Sequence, residues 1–357
     1  VFNYAQQVFP DIVAADLAKD FHASKSTLGD ISAAYFIAYA TLQIPIGITL
    51  DRFGVRIPLT IALLVAGAGS VIFALTQTAD MAIIARLLMG ASSSFSFLGC
   101  LKLVQGWFPI SRFSTMAGLT NTAAMLGAAS GIPLALLVAT IGWRDSEVWL
   151  GLTQIALAIL VLCLVRDRAP SATVSIREQT QSAGLPEPML KVIGSFLRNP
   201  QVWLNAIYAT SISLVLVAFG DLWGVSYIEK SYGVDPVKAA DVGTFLVAGG
   251  MAGSMFFGWL ADLIGSRKKS MILGALGALL TITPTLLGTN VSLPMFEGGL
   301  FLIGFFTGAN IVPYAVAREL YPNSSGLSIG FLSTCYYAGC ALSQPMIGYL
   351  LQYHAGS

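Results

Sequence analysis

Long apolar runs separated by short polar turns dominate the chain. A helix needs about 20 apolar residues to cross a bilayer core. On that measure the stretches near 1–18, 28–50, 57–77, 81–106, 114–140, 148–165, 201–228, 238–261, 270–288, 294–316 and 325–351 read as eleven spans. The long polar segment, 167–199, carries Pro170, Pro186 and Pro188 among mixed charges and reads as a linker. Within it, Met189 to Leu197 has the spacing of an amphipathic helix lying on a membrane surface. Twelve is the natural even completion, so part of span 1 and a twelfth span are expected outside the given chain. The expected organisation is an N-terminal bundle over 1–166, a linker over 167–199 and a C-terminal bundle over 200–357.

One polar turn occurs twice. Gly47-Ile-Thr-Leu-Asp51-Arg52-Phe-Gly54-Val-Arg56 is followed 211 positions later by Gly258-Trp-Leu-Ala-Asp262-Leu-Ile-Gly265-Ser-Arg267. Each copy ends one apolar run and begins the next. With an offset of 211 or 212, Gly118, Gly127 and Pro133 in span 5 match Gly330, Gly339 and Pro345 in span 11, and Lys19 and Phe21 match Lys230 and Tyr232. Two halves of one six-helix plan, in parallel orientation, account for the shared offset.

Composition agrees with a membrane protein. Hydrophobic residues make up 55% of the 357 and charged residues 10%, with mean hydropathy +0.75, against roughly 25% charged in soluble domains. The net charge of +1 offers no basic footprint for nucleic acid. With both repeated turns in the cytoplasm, the cytoplasmic segments hold Arg52, Arg56, Arg112, Arg166, Arg168, Arg177, Lys191, Arg198, Arg267, Lys268, Lys269 and Arg318. The outer segments hold Lys19, Lys25, Arg144, Lys230 and Lys238. That excess fixes the orientation by the positive-inside rule. Cys100, Cys163, Cys335 and Cys340 fall in apolar runs and read as packing residues. His22 and His354 have no partner at ligand spacing, so neither a metal site nor a catalytic constellation is expected.

The doubled turn and the run Arg86-Leu-Leu-Met-Gly90 resemble the major facilitator superfamily of secondary transporters, over essentially the whole chain. The resemblance implies an all-α membrane fold of two pseudo-symmetric six-helix bundles, with no cofactor, and transport by alternating access. It also implies a gating role for Gly47, Asp51, Arg52, Gly54, Arg56, Gly258, Asp262, Gly265 and Arg267, whose carboxylates would latch the outward-facing state. Span 5 resembles the family's antiporter motif only in part, because Ile132 separates Gly131 from Pro133.

Residue chemistry adds substrate or coupling candidates. A charge inside a bilayer needs a cavity or a partner. Arg86 lies in the outer third of span 4, and Lys102 toward its cytoplasmic side, where it could snorkel. Asp11 and Asp221 are intramembrane carboxylates able to carry a proton, with Trp223 beside the second. Gln7, Tyr35, Tyr39, Asn310, Tyr314 and Tyr336 are polar positions inside spans, and the pairs Tyr35/Tyr39 and Asn310/Tyr314 share a four-residue spacing. Such groups can line a wet cavity or hold helices together. An acidic side chain at Asp51 or Asp262 can pair with Arg52, Arg56 or Arg267, or accept from a neighbouring helix N-terminus.

The function expected is proton-coupled uptake of a small polar organic solute, an amino acid, peptide or organic anion. The site is a bacterial inner membrane, the partners are solute, protons and lipid, and a monomer is sufficient. The alternatives are a proton-coupled efflux antiporter and a transporter-like receptor or scaffold.

Overall fold

A computed structural model describes residues 2–127, 130–167, 189–217, 219–220, 224–288 and 291–355. Among them every regular element is a helix. The helices are α1 (Phe2–Ile12), α2 (Ala14–Asp20), α3 (Lys25–Thr41), α4 (Gln43–Phe53), α5 (Arg56–Leu75), α6 (Ala79–Trp107), α7 (Phe113–Met125), α8 (Gly131–Ile141) and α9 (Trp143–Leu164). The second half holds α10 (Met189–Arg198), α11 (Pro200–Val217), α12 (Gly224–Tyr232), α13 (Pro236–Ile264), α14 (Arg267–Leu287), α15 (Leu293–Thr307), α16 (Val312–Leu320) and α17 (Ser325–Ala355).

Six helices in the described residues are long and apolar enough to cross a membrane, and α3 with α4 makes a seventh if that pair, bent by 48°, is one span. Their outer faces keep large apolar side chains exposed, such as Ile61, Leu280 and Leu342, as a lipid-facing surface requires. Other expected spans are interrupted. Span 1 breaks between α1 and α2, and span 5 between α7 and α8. Span 10 passes through a 3-10 turn at Gly308–Ile311, where Pro313, lacking an N–H, opens α16 in the one place a helix tolerates it. The segment expected to be amphipathic is helical as α10. Its Phe196 is buried against the Tyr321 ring, with centroids 5.0 Å apart.

The turns end where the sequence supplies the means. Gly54 and Gly265, equivalent in the repeated motif, close α4 and α13 with φ of +76° and +65°. That conformation costs a residue with a Cβ but not glycine. Asp235 and Ser266 cap α13 and α14 by accepting from Lys238 N and Lys269 N. Asp167 performs the same service at a distance: its Oδ1 accepts from Val55 N at 2.6 Å and Arg56 N at 2.9 Å, which covers the start of α5.

The chain forms two compact units that cross the expected boundary between halves. One comprises Val1–Trp107, Ala123–Ser182 and Asn323–Phe331, the other Phe108–Thr122, Ala183–Pro322 and Leu332–Ser357. The first unit thus includes the opening of α17, and the second the opening of α7. The first has a core of Phe9, Val13, Leu17, Ile31, Phe73 and Met89. The second is built on Val242, Leu246, Phe296, Leu300 and Ile303.

Candidate functional site: two matching carboxylate turns

In the first unit, Asp51 lies in the last turn of α4 and faces the first turn of α17. Its Oδ1 accepts from Lys102 Nζ at 2.6 Å and from Gly326 N at 2.9 Å, and its Oδ2 from Leu327 N at 3.0 Å. Lys102 Nζ also donates to Ser325 Oγ at 2.9 Å, and Ser325 donates to Gln105 Oε1 at 2.6 Å. A carboxylate thus occupies the positive end of a helix whose first N–H groups have no partner within the helix. The approach is close because one turn back there is no side chain. A Cβ added at Gly47 would lie 2.0 Å from the Gly326 carbonyl oxygen, and one at Gly330 would lie 2.4 Å from that of Gln43.

The second unit repeats the arrangement. Asp262, at the end of α13, accepts at Oδ2 from Thr115 N and from Thr115 Oγ1, both at 2.7 Å. Its Oδ1 accepts from Ser114 N at 3.4 Å and from Arg267 Nη1 at 2.6 Å. Here the receiving helix is α7. A Cβ at Gly258 would lie 2.3 Å from the Ser114 oxygen, and one at Gly118 would lie 2.3 Å from that of Ser254. The correspondence is residue by residue. Gly47, Asp51 and Gln43 shift by 211 to Gly258, Asp262 and Ser254, while Ser114, Thr115 and Gly118 shift by 212 to Gly326, Leu327 and Gly330.

The two turns differ in their cation. The partner of Asp51 is Lys102, from near the C-terminal end of α6, and neither Arg52 nor Arg56. Arg52 lies over the Phe53 ring at 5.5 Å, and Arg56 donates through Nε and Nη2 to Leu162 O at 2.9 and 2.6 Å. Arg267 pairs with Asp262 and also reaches Glu319 at 2.9 Å. Arg318, next to Glu319, is buried with its guanidinium 4.5 Å from the centre of the Phe113 ring.

The other candidates fall into separate groups. Tyr35, Tyr39 and Arg86 come together in the first unit. Arg86 is buried, donates from Nη1 to Gln6 O at 2.8 Å and lies 4.6 Å over the Tyr35 ring. Tyr35 stacks on Tyr39 at 6.3 Å and donates to Asn3 O at 3.3 Å. Gln7 is half-buried on α1. In the second unit Asn310, in the 3-10 turn, donates to Ser213 Oγ at 3.4 Å, and Tyr314 is half-buried in α16. Tyr336 meets the Tyr337 ring edge-on at 4.8 Å on α17. Asp221 and Trp223 lie outside the described residues, as does the side chain of Asp11. Two acids escaped the sequence reading. Asp167 falls in the expected linker, and Glu147, fully buried in α9, stands just before the expected start of span 6.

The family model for the Major Facilitator Superfamily matches residues 1–344. The chain belongs to that superfamily. It is therefore a multi-pass integral membrane protein of a transporter family. It is 26% identical to the membrane sensor protein UhpC of Escherichia coli K12 over 362 residues, covering 96% of this chain and 81% of the relative. It is 24% identical to a probable hexose phosphate transport protein of Chlamydia muridarum, covering 99% and 82%. It is 22% identical to the probable sulfoacetate transporter SauU of Cupriavidus necator, covering 98% and 84%. Two solved structures share the superfamily fold. The E. coli fucose:proton symporter FucP matches with a TM-score of 0.78 at 14% identity, covering 99% of this chain and 90% of that one. The proton:xylose symporter XylE matches with a TM-score of 0.70 at 15% identity, covering 99% and 87%.

Proposed function

We propose that this superfamily member is a secondary active transporter for a small anionic organic solute, working by alternating access and driven inward by protons. The reading places it in a bacterial inner membrane with residues 167–199 on the cytoplasmic side. The observation that carries it is the pair of matching carboxylate turns. Each carboxylate holds the start of a helix from the opposite sequence half through two main-chain N–H groups and a cation. Bonds of that kind form or break as a set, because a partly buried carboxylate that leaves its donors must find water instead. They suit a device with two discrete states better than a permanently open pore. The solute class is supported by relatives named for hexose phosphate and sulfoacetate, both anions. Proton drive is supported by the two symporters that share the fold.

A sensor is the second reading, and the likeness to UhpC favours it. Counterflow separates the two. Proteoliposomes loaded with unlabelled hexose 6-phosphate or sulfoacetate are diluted into a trace of the labelled compound. A transient overshoot of label inside identifies a carrier for that compound. Stabilisation of the purified protein by one of these compounds with no overshoot identifies a receptor and defeats the transport reading.

A further inference from the structure

Glu147 lies one turn into α9 with 0% exposure, and neither carboxyl oxygen is in hydrogen-bond geometry with any described atom. It sits in a small polar cluster inside the first unit. Helix α5 packs along α9, and Ser70 lies beside it one turn from Glu147, where a Cβ added at Gly151 would come 3.0 Å from the Ser70 Cβ. Ser70 Oγ in turn accepts from the side-chain amide of Gln6 on α1, and the main-chain carbonyl of Gln6 accepts from Arg86 Nη1 at 2.8 Å. Gln6, Ser70 and Arg86, joined by these two bonds, and Glu147 are polar groups drawn from four helices, all buried in an otherwise apolar core.

Other charges are few. On α5 the sole charged side chain is Arg56, fourteen residues and about 21 Å along the helix from Ser70. Helix α8, packed against α9, carries no titratable side chain. On α9 itself Arg144 is held by Ala74 O, Thr76 O and Asp20, and Asp145 is exposed in the same turn. On α3, Tyr35 lies under Arg86. Asp11, on α1, has its side chain outside the described residues.

A carboxyl so placed has two self-consistent forms. With a proton, it donates to Ser70 Oγ, which has a second lone pair besides the one used by Gln6. Without it, the Ser70 hydroxyl turns to donate to the carboxylate, and Arg86 supplies the opposing charge. The proton passes between the Glu147 oxygen and water that reaches this fully buried group when the surrounding helices part. An enclosed acid with no fixed donor on either oxygen is uncommon, since buried charges are ordinarily hydrogen-bonded.

We propose that Glu147 is a proton-exchanging group of the first unit, with the Gln6-anchored Ser70 hydroxyl as its hydrogen-bond partner and Arg86 as its counter-charge. That the proton drives solute uptake rests on the function proposed above; that Glu147 exchanges a proton does not.

Infrared difference spectra between acid and alkaline buffer test the site directly, on the full chain in lipid. The wild type should show a carboxylic-acid C=O band that Glu147→Gln lacks and Glu147→Asp retains at a shifted position. Gln matches the protonated acid in shape, and the Asp variant guards against a folding defect in Gln. Superimposable wild-type and Glu147→Gln spectra would overturn the proposal and make Glu147 a fixed counter-charge to Arg86. A second arm uses the solute found by counterflow under an inside-alkaline gradient. A tenfold or greater loss of accumulation in Glu147→Gln supports a role in coupling. Unchanged accumulation overturns that role and leaves the transport reading standing. No accumulation by the wild type, with the band present and lost in Glu147→Gln, keeps the proton site and removes proton-driven uptake.

Discussion

Replacing Asp51 by Asn should release the start of α17 from α4. The substitution keeps the shape and one acceptor oxygen but removes the charge. Two losses follow. The pair with Lys102 is only partly buried, with side-chain exposures of 21% for Lys102 and 11% for Asp51. It is therefore worth less than the ~3–5 kcal/mol of breaking a fully buried pair, and about 1–2 kcal/mol is reasonable once solvent screening is counted. The charge also sits on Gly326 N and Leu327 N at a helix N-terminus, an arrangement worth about 0.5–1 kcal/mol when partly buried. Together these weaken the closed contact by about 1.5–3 kcal/mol, a shift of roughly 10- to 150-fold in the closed-to-open ratio. Spin labels at Phe53 and Asn323, both exposed, read that ratio as a distance distribution by pulsed electron resonance. Asp51→Asn should add a longer-distance population, and Lys102→Met a similar one. Asp16→Asn, an exposed acid in α2, should leave the distribution as it is. An unaltered distribution in Asp51→Asn would refute the reasoning, because the carboxylate would then hold nothing.

Other positions give independent checks. Gly47→Ala and Gly258→Ala place a Cβ about 2 Å from a backbone oxygen, so each should destabilise the protein by about 1–3 kcal/mol in thermal unfolding, whereas Gly29→Ala, with open space around it, should not. Asp167→Ala removes the acceptor that caps α5 and should cost about 0.5–2 kcal/mol, with Asp167→Asn intermediate in the same assay. Arg144→Lys should lower the melting temperature measurably, since one ammonium cannot reproduce donation to Ala74 O and Thr76 O, the pair with Asp20 and the stacking 4.4 Å over Trp143.

The repeated turn was readable because its chemistry is local. A glycine for close approach, an acid three residues before a glycine of positive φ, and a cation shortly after all lie within ten positions. The partner helices were partly readable too, since Gly118 and Gly330 share the same offset. What periodicity does not carry is which side chain on another span completes a contact. Lys102, 51 positions from Asp51, looked like a snorkelling or cavity charge, because its distance from the bilayer edge says nothing about the face it presents. Glu147 was missed for a related reason: an acid beside Arg144 and Asp145 at the start of an apolar run reads as the water boundary. Its burial follows from the neighbouring helices α5 and α8, which the linear pattern of α9 does not contain. The Tyr35/Tyr39 spacing correctly placed both rings on one face of α3, and Arg86 packs on the same face.

The most direct test of the account is accumulation in proteoliposomes of the solute identified by counterflow, under an inside-alkaline proton gradient. The account predicts that an anionic solute rises inside above its external concentration, that a protonophore abolishes the rise, and that Asp51→Asn reduces its rate. Equilibration that never exceeds the external concentration, with or without the gradient, would contradict it.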